Sequence, residues 1–85
     1  MASKTVTVGS AVGLHARPAA IVSEAAGKYD DEITLGVEGG DPVDAGSSLL
    51  IMTLGAAKGT EVTVESDNAA AVEEIAALIE QDLDA

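Results

Sequence analysis

An 85-residue chain with no cysteine and a single histidine is expected to form one small domain, 1–85, with a modest core, no disulfide and no cysteine- or histidine-rich metal site of its own. Fifteen acidic residues against four basic ones give a formal charge of −11, a surface that repels phosphate backbones and makes nucleic acid a poor partner. No apolar run approaches membrane-spanning length and no signal-peptide pattern precedes the first strand-like segment, so the expectation is a cytoplasmic protein with no membrane insertion. High net charge alone would fit disorder, but 47% hydrophobic residues and clear periodicity oppose that reading. The acid-rich, lysine-poor balance fits a halophilic host, where molar salt screens such a surface. Tyr29 is the only aromatic residue, so the core must be filled by aliphatic side chains.

Residues 4–8 alternate strictly and predict a first strand with Val6 and Val8 inward. A loop over 9–13 leads to a helix over 16–27, where Pro18 suits the first turn and the alanines that follow favour helix. Pro18, Ile21, Val22 and Ala25 share one face of it, and Gly27 is its expected stop. Residues 32–37 alternate again as a second strand, turned by Glu38-Gly39-Gly40-Asp41 into a short third strand around 42–45. Pro42 lacks a backbone donor and puts that third strand at a sheet edge. The apolar run 47–54 fits either a buried strand or a short helix; a serine pair opens it and Gly55 closes it, which selects helix. After a turn at Lys58-Gly59, residues 60–66 carry Val62 and Val64 inward as a fourth strand. Ser66, Asp67 and Asn68 offer caps for a last helix whose stripe is Val72, Ile75, Ala76, Ile79 and Leu83, with Glu73, Glu74, Glu80 and Asp82 in solvent. The order βαββαβα, with one apolar face per strand, predicts an α+β fold: a four-stranded antiparallel sheet with three helices on one face.

Chemistry concentrates in Gly13-Leu14-His15-Ala16-Arg17-Pro18-Ala19-Ala20, which holds the only histidine and the only arginine. A helix start leaves backbone N–H groups without intrahelical partners and carries partial positive charge, which makes it an anion site. An uncharged imidazole placed there is a nucleophile near neutral pH. The amides of Ala16 and Arg17, with the Arg17 guanidinium, are then positioned to stabilise a phosphoryl group on His15. The residues alone fit a surface histidine that merely begins a helix as well. A second constellation is Leu49-Leu50-Ile51-Met52: helical period sends neighbours to different faces, so at least one or two of these side chains should be exposed, as a scattered remainder or as a docking patch.

The run from Gly13 to Ala19 resembles the complete active-site signature of the HPr family, the histidine phosphocarriers of the bacterial sugar phosphotransferase system, and the likeness extends over essentially the whole chain. The resemblance implies an open-faced β-sandwich. It implies that His15 takes a phosphoryl group on Nδ1 from enzyme I, charged from phosphoenolpyruvate, and passes it to a sugar-specific enzyme IIA, with Arg17 stabilising the phosphate. It makes Leu49, Leu50 and Met52 docking contacts beside the active turn. It also aligns Ser47 with a serine that a dedicated kinase phosphorylates in some bacteria, while the residue types alone make Ser47 a plain N-cap. Three positions depart from the family: Gly46 where a basic residue is common, Glu24 where lysine is common, and Val12 where a polar residue is common. No nucleotide loop or metal motif accompanies the signature, so the expectation is a monomeric covalent carrier with no cofactor and no turnover of its own. Two other readings stay open: a paralogous carrier for another phosphorelay, such as a dihydroxyacetone kinase or regulatory branch, and a regulatory binding module that is never phosphorylated.

Overall fold

The computed structural model describes residues 2–11 and 13–81. Its elements run β1 (Ala2–Thr7), α1 (Ala16–Gly27), β2 (Ile33–Val37), β3 (Val43–Asp44), α2 (Ser48–Thr53), β4 (Glu61–Ser66) and α3 (Ala69–Glu80). This is the expected βαββαβα order. All three strand pairings are antiparallel and the sheet order is β1-β4-β2-β3, so β1 and β3 form the edges.

The register explains why one face of the sheet is buried. Val6, Val62 and Val37 lie in one row across the sheet, and Lys4, Val64 and Leu35 in the next. Ala2, Ser66 and Ile33 form a third row on the same face. These rows hold the buried valines, Leu35 and Ile33, and helices close over them. The alternate rows, Thr5-Thr63-Gly36 and Ser3-Glu65-Thr34, contain no large apolar side chain and form the open face. Side-chain period two in a strand makes this division automatic once the sequence alternates. Helix α3 covers β1 and β4, α1 packs between α3 and α2, and α2 reaches β3.

The core is aliphatic, as composition required: Leu35, Ile51, Ile75, Ile79, Val8, Val22, Val62, Val64 and Val72 are sealed from solvent, with alanines between them. Tyr29 lies half-buried against this cluster rather than within it. The expected elements shift by small amounts. β1 begins at Ala2 and its ladder ends at Thr7, while Val8 is buried just beyond, bonded to Thr60. Pro42 precedes the two-residue β3, as a residue without a ladder donor must. Gly27 is the last residue of α1 and has no left-handed φ; the chain leaves the helix through Lys28 with ordinary right-handed torsions. In α1 the buried set is Pro18, Ala19, Val22, Ala25 and Ala26, and Ile21 is only half-buried. The predicted contributions of Val12, Asp82 and Leu83 lie outside the described residues.

Caps and turns follow the residue chemistry. The Ser47 hydroxyl accepts from Leu50 N–H at 3.2 Å and caps α2; the Asn68 side chain accepts from Ala71 N–H at 3.2 Å and caps α3. Gly39 takes φ +82 in the β2–β3 turn, where Gly40 N–H bonds Val37 O at 3.1 Å.

Candidate functional site

His15 stands at the N-cap of α1 with extended torsions, φ −87 and ψ −166. Its backbone carbonyl accepts the first helical bond, from Ala19 N–H at 2.8 Å. Its side chain makes no capping bond, unlike those of Ser47 and Asn68 at the other two helices. The ring is therefore exposed and not consumed by the local structure. Ala16 and Arg17 occupy the first two helical positions, so no carbonyl of the helix is available to their N–H groups. Pro18 comes third and has no N–H to offer, and its ring is buried in the core. The helix thus presents two amides beside an exposed imidazole, and Arg17 is exposed at the same turn.

The turn is held from below. Leu14, 97% buried by its 3% exposure, plugs the core directly before His15. Its N–H bonds Ala56 O at 2.8 Å. Gly13 takes φ +78, and a Cβ there would lie 2.4 Å from Ala56 O and 2.9 Å from Ala57 Cα. Only glycine lets the two backbones approach so closely. The segment after α2 is thereby a brace for the His15 turn. Sequence reasoning singled out Gly13 as part of the signature but missed Ala56 and Ala57, because two alanines after a glycine carry no local sign of a long-range contact.

Along α2, Ile51 is sealed in the core while Leu49 is 68% exposed, Leu50 41% and Met52 37%. Helical period divides the four as expected, and the division leaves three large apolar side chains in solvent. Their helix runs through Gly55, φ +63, into the brace at Ala56, which ties α2 to the His15 turn. Ser47 is half-buried, with its hydroxyl engaged as the α2 cap.

A different cluster lies at the opposite end of α1. The Tyr29 hydroxyl donates to Glu74 Oε1, and Lys28 Nζ lies 3.3 Å from Glu74 Oε2. Glu74 is half-buried, where the helical wheel alone put it in solvent. The Tyr29 hydrogen bond, then the Lys28 bond, holds the Glu74 carboxyl below its ordinary range, and the same carboxylate pushes the Tyr29 hydroxyl up. Among the described residues no group of three or more histidine, cysteine or acidic side chains is disposed to hold a metal ion. No described helix is long and apolar enough to cross a membrane.

Comparison with known proteins gives consistent relatives. The family described as "PTS HPr component phosphorylation site" matches residues 2–81. The chain is 41% identical over 87 residues to the phosphocarrier protein HPr of Streptomyces coelicolor, covering 99% of this chain and 94% of that one. It is 34% identical over 76 residues to the phosphocarrier protein NPr of Klebsiella oxytoca, covering 89% and 84%. The crystal structure of HPr-C-His from Thermoanaerobacter tengcongensis superposes with a TM-score of 0.89 at 30% identity, covering 100% of this chain and 98% of that one.

Proposed function

Because the chain belongs to the HPr family of phosphocarriers of the phosphotransferase system, we propose that His15 is the residue that carries the phosphoryl group. One observation supports this most: the exposed imidazole stands at the start of α1 without serving as its cap, beside two amides with no helical acceptor and an exposed arginine. A ring nitrogen of His15, Nδ1 by the family likeness, attacks the phosphorus of a donor phosphohistidine in line with the bond to be broken. The N–P bond to the donor breaks, its electron pair returns to the donor imidazole, and the proton displaced from His15 leaves to solvent or to that imidazole. The Ala16 and Arg17 N–H groups and the guanidinium stabilise the phosphoryl oxygens as charge moves across. Transfer onward repeats the step with His15 as leaving group.

The partners of this reading are enzyme I as donor and a sugar-specific enzyme IIA as acceptor, met in the cytoplasm by a diffusing monomer that performs no turnover alone. Leu49, Leu50 and Met52 supply the apolar contact for both, supported by their exposure on the helix that runs into the brace under His15. Ser47 serves as the α2 cap, and a kinase acting there would have to release that hydroxyl from Leu50 N–H. A carrier for a different phosphorelay is the second reading, favoured by the 34% identity to an NPr; it shares the His15 chemistry and changes only the acceptor. The test is incubation with enzyme I and phosphoenolpyruvate, followed by intact mass. One acid-labile, base-stable phosphoryl adduct is expected, absent in His15→Ala and retained in Ser47→Ala. An adduct persisting in His15→Ala overturns the assignment, and no adduct on the native chain points to a binding module instead.

A further inference from the structure

The four cations of this chain divide by position. Lys4 Nζ lies 3.2 Å from Glu73 Oε1, and Lys28 Nζ 3.3 Å from Glu74 Oε2. Both acids sit in the first half of α3, next to its middle. The other end of α3 reaches the His15 side, where Ile79 O accepts from Gly9 N–H at 3.0 Å. Lys28 lies past the end of α1, a 12-residue helix about 18 Å long, with His15 at its start. Both paired lysines are thus remote from His15. The remaining two cations, Arg17 and Lys58, form no ion pair among the described residues.

Lys58 is exposed on a turn pinned at the His15 end of the molecule. Thr60 N–H closes that turn onto Ala57 O at 3.0 Å, with Gly59 at φ +91. Gly59 N–H bonds Val8 O at 3.0 Å, where β1 gives way to the loop leading to His15. Two residues earlier, Ala56 O takes the Leu14 N–H at 2.8 Å. The lysine is therefore carried by the same backbone brace that supports the His15 turn. A chain of charge −11 repels an anionic visitor almost everywhere. Among the described residues, the two cationic side chains without an ion pair are Arg17 in the His15 turn and Lys58 on the brace beneath it. Lysine, a hydrated point charge on a flexible stem, suits attraction at a rim rather than a fixed bidentate grip.

We propose that Lys58 is a recognition residue of the carrier, which draws the phosphoryl-bearing protein partner onto the His15 end of an otherwise repulsive surface. The proposal rests on the phosphocarrier reading of His15. Lys58 acts on encounter, so it governs association rate and salt dependence rather than the chemistry of the phosphorylated ring.

The experiment compares Lys58→Gln with Lys4→Gln, two variants with the same net charge. Phosphorylation of each by phospho-enzyme I is followed by rapid quench at about 50 mM and about 1 M KCl, after circular dichroism has matched their folds. At low salt Lys58→Gln is expected to lower the second-order rate about threefold or more relative to Lys4→Gln, the scale of one unit charge acting on another about 7 Å away in water. At 1 M, where the screening length is about 3 Å, the two rates are expected to converge. Final occupancy of His15 is expected to be equal in both. Equal rates at low salt overturn the proposal, as does a deficit that persists undiminished at 1 M. Failure of the native chain to take a phosphoryl group on His15 is a separate result and refutes the carrier reading itself.

Discussion

Replacing Gly13 by alanine tests whether the brace under His15 does what its geometry requires. The new Cβ meets two costs. Residue 13 has φ +78, a region where an L-residue pays about 1–2 kcal/mol. The methyl would also lie 2.4 Å from Ala56 O, which is backbone and cannot swing aside. Relief requires the 13–14 and 56–57 segments to separate, which sacrifices the Leu14 N–H to Ala56 O bond, worth about 0.5–1.5 kcal/mol net. The sum is about 1.5–3.5 kcal/mol, or at least about 6 °C in the melting temperature of a chain this size. Gly39→Ala is the control: its φ is +82, but nothing lies within 4 Å of its Cβ, so it pays the torsional cost alone. Urea and thermal unfolding of both variants separate the terms. Gly13→Ala should be the less stable by about 0.5–1.5 kcal/mol and should slow phosphorylation of His15, while Gly39→Ala leaves that rate unchanged. If the two variants melt together and transfer equally, the close approach at Ala56 neither stabilises the turn nor aims the ring.

Three further outcomes follow from the same contacts. Tyr29→Phe removes the hydrogen bond that lowers Glu74 and raises Tyr29. A depressed carboxyl stabilises above its unfolded range and loses that contribution as pH falls through the folded value, whereas a raised phenol stabilises below its ordinary 10.0 and loses it as pH rises beyond. The melting difference between wild type and variant should therefore be widest near neutral pH and narrow toward both extremes; a constant offset would contradict it. Leu49→Asp should alter stability by no more than about 0.5 kcal/mol, since that side chain is 68% exposed, yet slow transfer from enzyme I; Ile51→Ala, in the sealed core two residues on, should cost about 2–5 kcal/mol in urea unfolding. Finally, the melting temperature should rise between about 50 mM and about 2 M KCl, because only two ion pairs among the described residues offset a charge of −11; identical melts would remove the case for a halophilic surface.

Much of the fold was legible because its signals are local. Alternation in 4–8 and 60–66 marks strands, alanines after Pro18 mark α1, and the choice of helix for 47–54 rested on Ser47 and Gly55, which the cap at Leu50 N–H and the φ of +63 justify. Pro42 placed β3 at an edge by the absence of one donor. Strand order was harder, since β4 sits between β1 and β2 through pairings that span most of the chain. The half-burial of Glu74 escaped the helical wheel for a related reason: its partners Tyr29 and Lys28 arrive from another helix end. At the candidate site, the residue types at 13–19 were readable, but the support from Ala56 and Ala57 was not. Backbone-to-backbone approach depends on where two loops meet, and alanine advertises nothing about it.

The placement of Pro18 bears on how firmly a carrier of this design holds its cargo. A helix start has four N–H groups without helical acceptors. In α1 these belong to residues 15–18, and Pro18 contributes none; the first helical bond is that of Ala19 N–H to His15 O. Within the helix itself the amides of Ala16 and Arg17 are left without helical acceptors, where a residue with an N–H at position 18 would add a third. Each charge-assisted bond strengthens retention of the phosphoryl group as well as its capture, and every gain in retention raises the barrier to handing it on. In the proposed role of His15, Arg17 would add charge from an exposed side chain rather than from a backbone amide fixed by the helix. The buried proline ring meanwhile fixes the turn in the core and keeps the two remaining amides in place. If His15 carries the phosphoryl group as proposed, one fewer amide at this helix start favours release as well as capture, which reversible transfer requires.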